Sequence, residues 1–406
     1  MTMNSRTRMV VLDDDPTGIQ TVHSCLLLTC WDSASLHQAF THEQPFFYVL
    51  TNTRAMSRDE AARVVREVME AVLEVAAHYD YRLIFVSRSD SCLRGHFPLE
   101  TDVMRTVLAE HHIPVWPRIP FVPAFIEAGR VTVSGTHYMR SEGRLIPVAE
   151  TEFARDNVFG YHTSILRDYI VEKGGEADEY EIVDAAGYDE LYAYCDRLEK
   201  ETAGFDGAVV IRSSSSLPKA ISGIADKPLL DRSILRDKQG VGCFVVGSHV
   251  QKTTRQLIHL LEQEGVRGIE ADVSRILNHR EAMIEEVTTA MGKAHDEGLT
   301  PVVYTSRKEI RLDDADKRQH LGQEVSDFLV EIVRRMPFEP CYLAAKGGIT
   351  SHDILTKGLQ VRCATVEGQI IGSVPCVQTD RFAYIIFPGN VGDDQSLAEL
   401  YLKLRQ

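Results

Sequence analysis

Short apolar runs that break off abruptly into charged or glycine-rich loops recur along this 406-residue chain, and they constrain its fold more than any other feature. In the first half, VVLDDDPTG (10–18), FFYVLTNTR (46–54), YRLIFVSRSD (81–90) and GAVVIRSSSS (207–216) follow the pattern. In the second half, VGCFVVGSH (241–249), PVVYTSRK (301–308) and CYLAAKGG (341–348) repeat it. Apolar runs of this length without alternation fit strands covered on both faces, as in a parallel sheet. Helical signals lie between them. Ser57 and Glu60 are spaced as a capping box ahead of a stretch in which Val64, Val65, Val68, Val72, Leu73 and Ala76 recur at helical spacing. A second helix is predicted near DELYAYCDRLEKE, and a last one is expected to pack through Leu397, Leu400 and Leu402. Pro218, Gly223, Pro228 and the charged DRSILRDKQG tract punctuate the middle. The fold class predicted is therefore α/β, as two α/β domains spanning 1–235 and 236–406.

Composition narrows the chemistry. The 44 basic residues against 59 acidic ones leave a formal charge of −15, which argues against a broad nucleic-acid or anionic-membrane surface. Eight cysteines are scattered without a CxxC pair, as expected for reduced thiols in a cytoplasmic protein. No run reaches membrane-spanning length. The partner expected is a small molecule, with no nucleic acid and no membrane, and a homodimer is the oligomer considered.

The acidic turn admits competing readings. Open α/β sheets place ligands at the carboxyl ends of their strands, so three carboxylates at such an end invite a chemical role. Asp13, Asp15 and Thr17 fit a DxDxT pattern that resembles the nucleophilic loop of haloacid-dehalogenase-like phosphatases. There the first carboxylate attacks phosphorus, the second moves protons, and Mg2+ offsets charge. Alternatively, the carboxylates are merely solvated, with Pro16 and Gly18 making the turn and Thr17 capping a helix. Neither GxxxxGK[ST] nor GxGxxG occurs.

A broader set of motifs resembles the four-carbon acid sugar kinase family. DDPTG at 14–18 is similar to its DDxTG signature, SDSCLRG at 89–95 to DSTLRG, and PAFIEAGRVTVSGTHY at 123–138 to its proline, Gly-Arg and glycine loop. ETEFARD at 150–156 adds a further likeness. In the second half GSHVQKTTRQ (247–256), KGGITSHDIL (346–355) and GNVGDD (389–394) resemble the family's glycine-serine turn, GGETS loop and terminal glycine segment. Cys92, Ile349 and His249 depart from the usual threonine, acidic and small polar residues.

The resemblance implies two α/β domains with an active-site cleft between them, an N-terminal acid-sugar domain and a C-terminal nucleotide domain, that transfer phosphate from ATP, with Mg2+, to a tetronate or 3-oxotetronate. Asp14 and Asp15 become the candidates to orient or deprotonate the hydroxyl, with Asp15 ranked first for its place beside the Pro16 turn. Thr17, Asp90, Arg94, Arg130 and His137 are the substrate-binding candidates, the arginines because a guanidinium grips a carboxylate through two parallel hydrogen bonds. Arg88 is a candidate either for substrate or for a sheet-end carboxylate. On the nucleotide side stand Gly247, Ser248, Thr253, Gln256, Lys346, Gly347, Gly348, Thr350, Ser351, Gly389 and Gly392. Asp353 is a weaker metal candidate, and Asp393 with Asp394 could equally cap the last helix. A non-catalytic sugar-acid sensor remains the third reading.

Overall fold

The computed structural model describes residues 6–141, 143–307, 315–389 and 391–405. The chain separates into two units, Met1–Asp226 and Lys227–Gln406. Leu230, Ile234 and Leu235 join the apolar core of the second.

The first unit is built on seven parallel strands in the spatial order Leu26–Leu28, Phe46–Leu50, Thr7–Asp13, Arg82–Arg88, Val209–Ser213, Ile119–Val122 and Tyr180–Ile182. All seven residues of Thr7–Asp13 are buried, with the apolar run Met9–Leu12 at the middle of a central strand. After this strand the chain adds two strands on one side and then crosses to Arg82–Arg88 on the other. That reversal makes the strand ends beside Asp13 a topological switch point, where the sheet leaves a crevice. Register brings Asp13 level with Arg88, and Arg88 level with Ser213.

The capping box forms as the sequence predicts. Ser57 Oγ accepts the Glu60 amide at 3.4 Å, and Glu60 Oε2 accepts the Ser57 amide at 3.0 Å. The helix Arg58–Ala76 then buries all six predicted apolar positions. A small antiparallel sheet of Arg130–Val133, Thr136–Ser141 and Arg144–Pro147 stands apart from the main one. Its first turn is Ser134-Gly135, both at positive φ (49° and 70°), the geometry of a two-residue hairpin.

The second unit has five parallel strands, Val266–Ala271, Thr300–Thr305, Cys243–Val246, Tyr342–Lys346 and Ala383–Phe387, extended by the antiparallel strands Val374–Gln378 and Cys363–Ile371. Val246, Lys346 and Phe387 lie level, so the turns that follow them emerge together. The last helix, Ser396–Leu404, buries Leu397 and Leu400 as predicted. Leu402 is half-exposed, and Tyr401 and Leu404 take the inward positions instead, because they continue the 3.6-residue stripe from Leu397. Among the described residues, no helix is long and apolar enough to cross a membrane. All eight cysteines are free thiols.

Candidate active site

Three aspartates at one strand end would repel one another unless cations stood between them, and two arginines do. Arg88, level with Asp13, donates to Asp13 Oδ1 at 3.1 Å and lies 3.5 Å from Asp14 Oδ1, while its other nitrogen reaches Ser215 Oγ at 3.0 Å. Arg54 comes from the short 3-10 turn Thr53–Ala55 after the strand Phe46–Leu50. It approaches Asp14 at 3.1 Å, Asp15 at 3.0 Å and Asp90 at 3.6 Å. Ser89 Oγ donates to the second oxygen of Asp14 at 2.5 Å. Asp14 is thus enclosed on both oxygens, with 1% of its side chain exposed, whereas Asp15 keeps 22% exposed.

The three carboxylates differ chemically as a result. Asp13 is fully buried, and that burial pushes its pKa up to about 8 against the pull of Arg88. Burial therefore favours its protonated form, and Arg88 at 3.1 Å favours the ionised one. Burial works against ionisation of Asp15 too, but Arg54 and the Thr17 hydroxyl and amide outweigh it and hold the carboxyl below its usual range. Thr17 donates its amide to Asp15 Oδ1 at 2.8 Å, and its hydroxyl to the same oxygen. The chain forms turns through residue 21, so Thr17 caps no helix; the aspartate closes the turn on itself.

The DxDxT phosphatase pattern fails on this geometry. Its attacking carboxylate would be Asp13, which has no exposed surface, is packed against Gly18 and is held by Arg88.

The second strand end carries the turn Ser89–Gly95. Three successive carbonyls of this turn are each taken by a buried side chain from a different place in the unit. His137 Nε2 donates to Ser91 O at 2.8 Å, Tyr161 to Cys92 O at 2.8 Å, and Tyr169 to Leu93 O at 2.7 Å. Leu93 holds φ +66°, an uncommon conformation for a residue with a side chain. Gly95 holds φ +132°, and a Cβ there would sit 2.3 Å from Ser89 Oγ.

Between them Arg94 is delivered. Its Nε donates to Asp90 Oδ2 at 2.7 Å, its plane lies over the Phe153 ring at 4.9 Å, and Asp156 stands 3.8 Å away. The SDSCLRG and ETEFARD motifs therefore converge on one guanidinium. Burial opposes the Asp90 charge, but Arg94 and Arg54 bring its pKa down to about 2. Arg130 donates to Ala128 O and acts on the Cys92 thiol of the same turn.

His137 is fully buried with both ring nitrogens engaged. Nε2 donates to Ser91 O, so Nδ1 accepts from Thr132 Oγ1 at 2.9 Å, and burial brings its pKa down to about 4. Tyr169→Phe should leave the Leu93 carbonyl unpaired and cost the first unit about 1–3 kcal/mol. Denaturant unfolding checks this, with loss below a few tenths of a kcal/mol arguing against the clamp.

Several buried polar atoms here have no protein partner: Asp13 Oδ2, Arg54 Nε, Arg88 Nε, Arg130 Nε and Ser214 Oγ. Such atoms are uncommon in folded proteins and tend to mark places where function outweighs stability.

In the second unit the glycine turns meet. A Cβ on Gly247 would lie 2.2 Å from Thr350 Oγ1, one on Gly347 3.2 Å from Ser248 Cβ, and one on Gly389 3.3 Å from Ser248 Oγ. Thr253 Oγ1 ties the turns together through Ser248 Oγ at 3.1 Å and Gly389 O at 3.3 Å. Gln256 Nε2 holds the segment after Gly389 by bonding Val391 O at 3.0 Å and Asp393 O at 2.7 Å. Gly392, at φ +83°, packs on Ser396. Asn390 of the GNVGDD motif lies outside the described residues.

Lys346 points inward. Its Nζ donates to Pro388 O at 2.5 Å over the Phe387 ring, and burial, with the charge of Lys252, lowers its pKa to about 7. Ser351 is likewise committed, donating to Ala345 O at 2.9 Å. Gly348 opens the helical turn Gly348–Asp353 that carries Thr350.

Beside Gly247 and Thr350 opens a cavity of about 1110 Å³, lined further by His249, Val250, Arg307, Leu329 and Ile349. Ile349, one of the departures from the family pattern, is 62% exposed and supplies an apolar wall. Asp353 is engaged by Ser326 and Lys357, Asp393 by Ser396, and Asp394 by Arg255. Among the described residues, no group of three or more His, Cys, Asp or Glu side chains is arranged to hold a metal.

Sequence reasoning ranked Arg88 low and did not name Arg54, Glu100 or Arg307. The three arginines, Arg88, Arg54 and Arg307, sit at the polar ends of the runs LIFVSR, FFYVLTNTR and PVVYTSRK, so the same strand-end rule could have found them all. Glu100, bonded by Thr53 at 2.6 Å and Ser87 at 2.8 Å, gives no such signal from inside a helix.

Comparison with known proteins agrees with this division of labour. Residues 9–220 match the model of a sugar-binding N-terminal domain, and residues 243–397 match that of a nucleotide-binding C-terminal domain. A D-erythronate kinase of Heliobacterium modesticaldum is 33% identical over 122 residues; the match covers 30% of this chain and only 25% of that enzyme. Two solved structures share the fold: the Haemophilus influenzae protein HI1011, with a TM-score of 0.65 at 15% identity over 98% of this chain and 100% of that one, and a putative tRNA synthase of Salmonella typhimurium, with 0.69 at 17% over 98% and 99%. With both halves matched in order and the acidic and glycine turns in their expected halves, the chain belongs to the four-carbon acid sugar kinase-like family of sugar-binding and nucleotide-binding domain proteins.

Proposed function

We propose that this protein transfers the terminal phosphoryl group of ATP to a hydroxyl of a four-carbon sugar acid such as a tetronate or 3-oxotetronate. The observation that carries the reading is the contrast between two adjacent aspartates: Asp14 is sealed in by Ser89, Arg54 and Arg88, while Asp15 stays ionised with an open edge. Asp15 is the group that receives the substrate hydroxyl and directs its lone pair, and Asp14 anchors the turn. A carboxylate held below its usual pKa is a weak base. That suffices, because phosphoryl transfer depends chiefly on positioning and charge.

Arg94 and Arg130 take the substrate carboxylate, and Asp90 fixes the first of them. His137, with both nitrogens occupied, acts by holding the turn that bears Arg94. On the nucleotide side the backbones of Gly247, Gly347 and Gly389 admit phosphate oxygens closely, Thr253 and Gln256 brace the turns, and the apolar cavity wall receives the base. Lys346 fastens the Pro388–Gly389 segment from beneath. The neighbouring aspartates are committed elsewhere, which fits Mg2+ carried chiefly by the phosphates, its usual mode in such sites; that ion would offset phosphate charge.

A panel of four- to six-carbon sugar acids incubated with ATP and Mg2+, read by ADP release and product mass, tests the reading. A four-carbon acid should yield ADP in step with a phosphorylated product. Saturable binding without product would favour a sensor, and no ADP with any acid would overturn the assignment. Arg94→Ala and Arg130→Ala should each raise KM for the acid roughly 10- to 100-fold with a smaller effect on kcat, the value of a charged hydrogen-bonded pair. Unchanged kinetics in both variants would remove them from the substrate.

A further inference from the structure

One residue of the first unit lies outside the family motifs and yet reaches three of the site's carboxylates. We propose that Arg54 is a positioning residue of the acid-sugar site, whose single guanidinium, ion-paired to Asp14, Asp15 and Asp90 at once, fixes where those carboxylates point and supplies the charge that lets them stand together. The inference rests on the kinase reading for its consequence in turnover, but not for the electrostatic arrangement itself.

The geometry is specific to a planar fork. One terminal nitrogen serves Asp14 and Asp15 at 3.1 and 3.0 Å, and the other faces Asp90 at 3.6 Å. Asp14 and Asp15 follow the strand Thr7–Asp13, and Asp90 follows Arg82–Arg88, so Arg54 joins through its side chain two strand ends whose backbones meet at the bond from the Asp14 amide to Arg88 O, 3.2 Å. The charged groups facing it are Asp13, Asp14 and Asp15 from one turn and Arg88, Asp90 and Arg94 from the other. Glu100 stands behind Asp14, bonded to Thr53 and Ser87, and burial followed by the Asp14 charge pushes it upward.

Asp14, Asp15 and Asp90 converge on the Arg54 guanidinium within 3.6 Å, and removing it takes away the one cation the three share, where water screens least. A point charge cannot replace the fork fully, since an ammonium lacks the paired, fixed donors.

The test uses the full chain labelled with 13C at the aspartate carboxyls, titrated by NMR without substrate, beside the pH profile of turnover. Asp15→Asn and Asp90→Asn assign the two signals. In Arg54→Gln the midpoint of Asp15 or Asp90 should rise by about one pH unit or more, since an opposing charge has left. The acid limb of the kcat profile should move with it, with kcat at pH 7 lower by about tenfold or more. Arg54→Lys should keep the midpoints near those of the native protein and recover part of the rate; it also serves should Arg54→Gln fail to fold.

Unmoved midpoints in Arg54→Gln would overturn the proposal, as would a rate loss uniform across pH. Were Arg54→Gln unfolded, midpoints in Arg54→Lys displaced as far as one pH unit would do the same. If the native protein releases no ADP with any acid, the kinase reading falls while the carboxylate titration still decides the role of Arg54.

Discussion

Asp15→Asn should lower phosphoryl transfer to the sugar acid by about 100- to 10,000-fold, the span usually lost with a positioned proton acceptor, while leaving the fold intact. The asparagine keeps an oxygen for the Thr17 amide, which Asp15 Oδ1 now accepts at 2.8 Å, so the turn retains its local closure. What disappears is the negative charge at the open edge. Asp14→Asn should behave differently. Asp14 is buried against Arg54, Arg88 and Ser89, and breaking a buried ion pair on one side typically costs about 3–5 kcal/mol. Thermal melting and single-turnover kinetics on the two variants separate the roles. A stable Asp14→Asn that has lost its rate, beside an Asp15→Asn that has kept it, would exchange the two assignments.

Gly18→Ala should destabilise the first unit by about 1–3 kcal/mol or more, the usual cost of forcing extra volume into a filled site. A Cβ on Gly18 would fall 2.0 Å from Asp13 Oδ2 and 2.1 Å from Oδ1, and that carboxylate is pinned on its other side by Arg88 at 3.1 Å. Neither group has room to retreat. Because the displaced carboxylate belongs to the residue before Asp14, activity should fall along with the melting temperature. A double-mutant cycle sharpens the test. In Asp13→Ala the obstructing oxygens are gone, so adding Gly18→Ala to it should cost little. Equal costs of Gly18→Ala in both backgrounds would mean that the glycine is there for its backbone freedom and not for the carboxylate.

Much of this arrangement is legible along the chain. The apolar run before DDPTG is long enough and unbroken enough that it can only be a covered strand, and such a strand must deliver its polar end to a crevice rim. The capping box at Ser57 and Glu60 is a local pattern closed by local hydrogen bonds, and it forms as written. The last helix reads less well. Leu397 and Leu400 are buried, but the helix is short enough that one residue's difference in phase exchanges Leu402 for Leu404.

The family motifs name the turns without saying which atoms face a ligand. Lys346 and Ser351 lie inside their motif, yet both spend their donors on the protein's own carbonyls. His137 likewise serves Ser91. A sequence motif records that a turn must exist; the side chains that hold the turn and those that use it look alike in one dimension.

From the sequence by itself came the two α/β halves, the strand ends as the place of chemistry, and the pairing of an acidic turn with glycine turns, because each follows from periodicity and residue type within a few neighbouring positions. Only the tertiary structure decided that Asp13 is buried beside Arg88, that Asp14 is enclosed on both oxygens with Asp15 at the open edge, and that Arg54 spans three carboxylates. Those outcomes depend on parallel register, which sets Asp13 beside Arg88 across 75 residues of chain, and on burial, which determines what each charge costs.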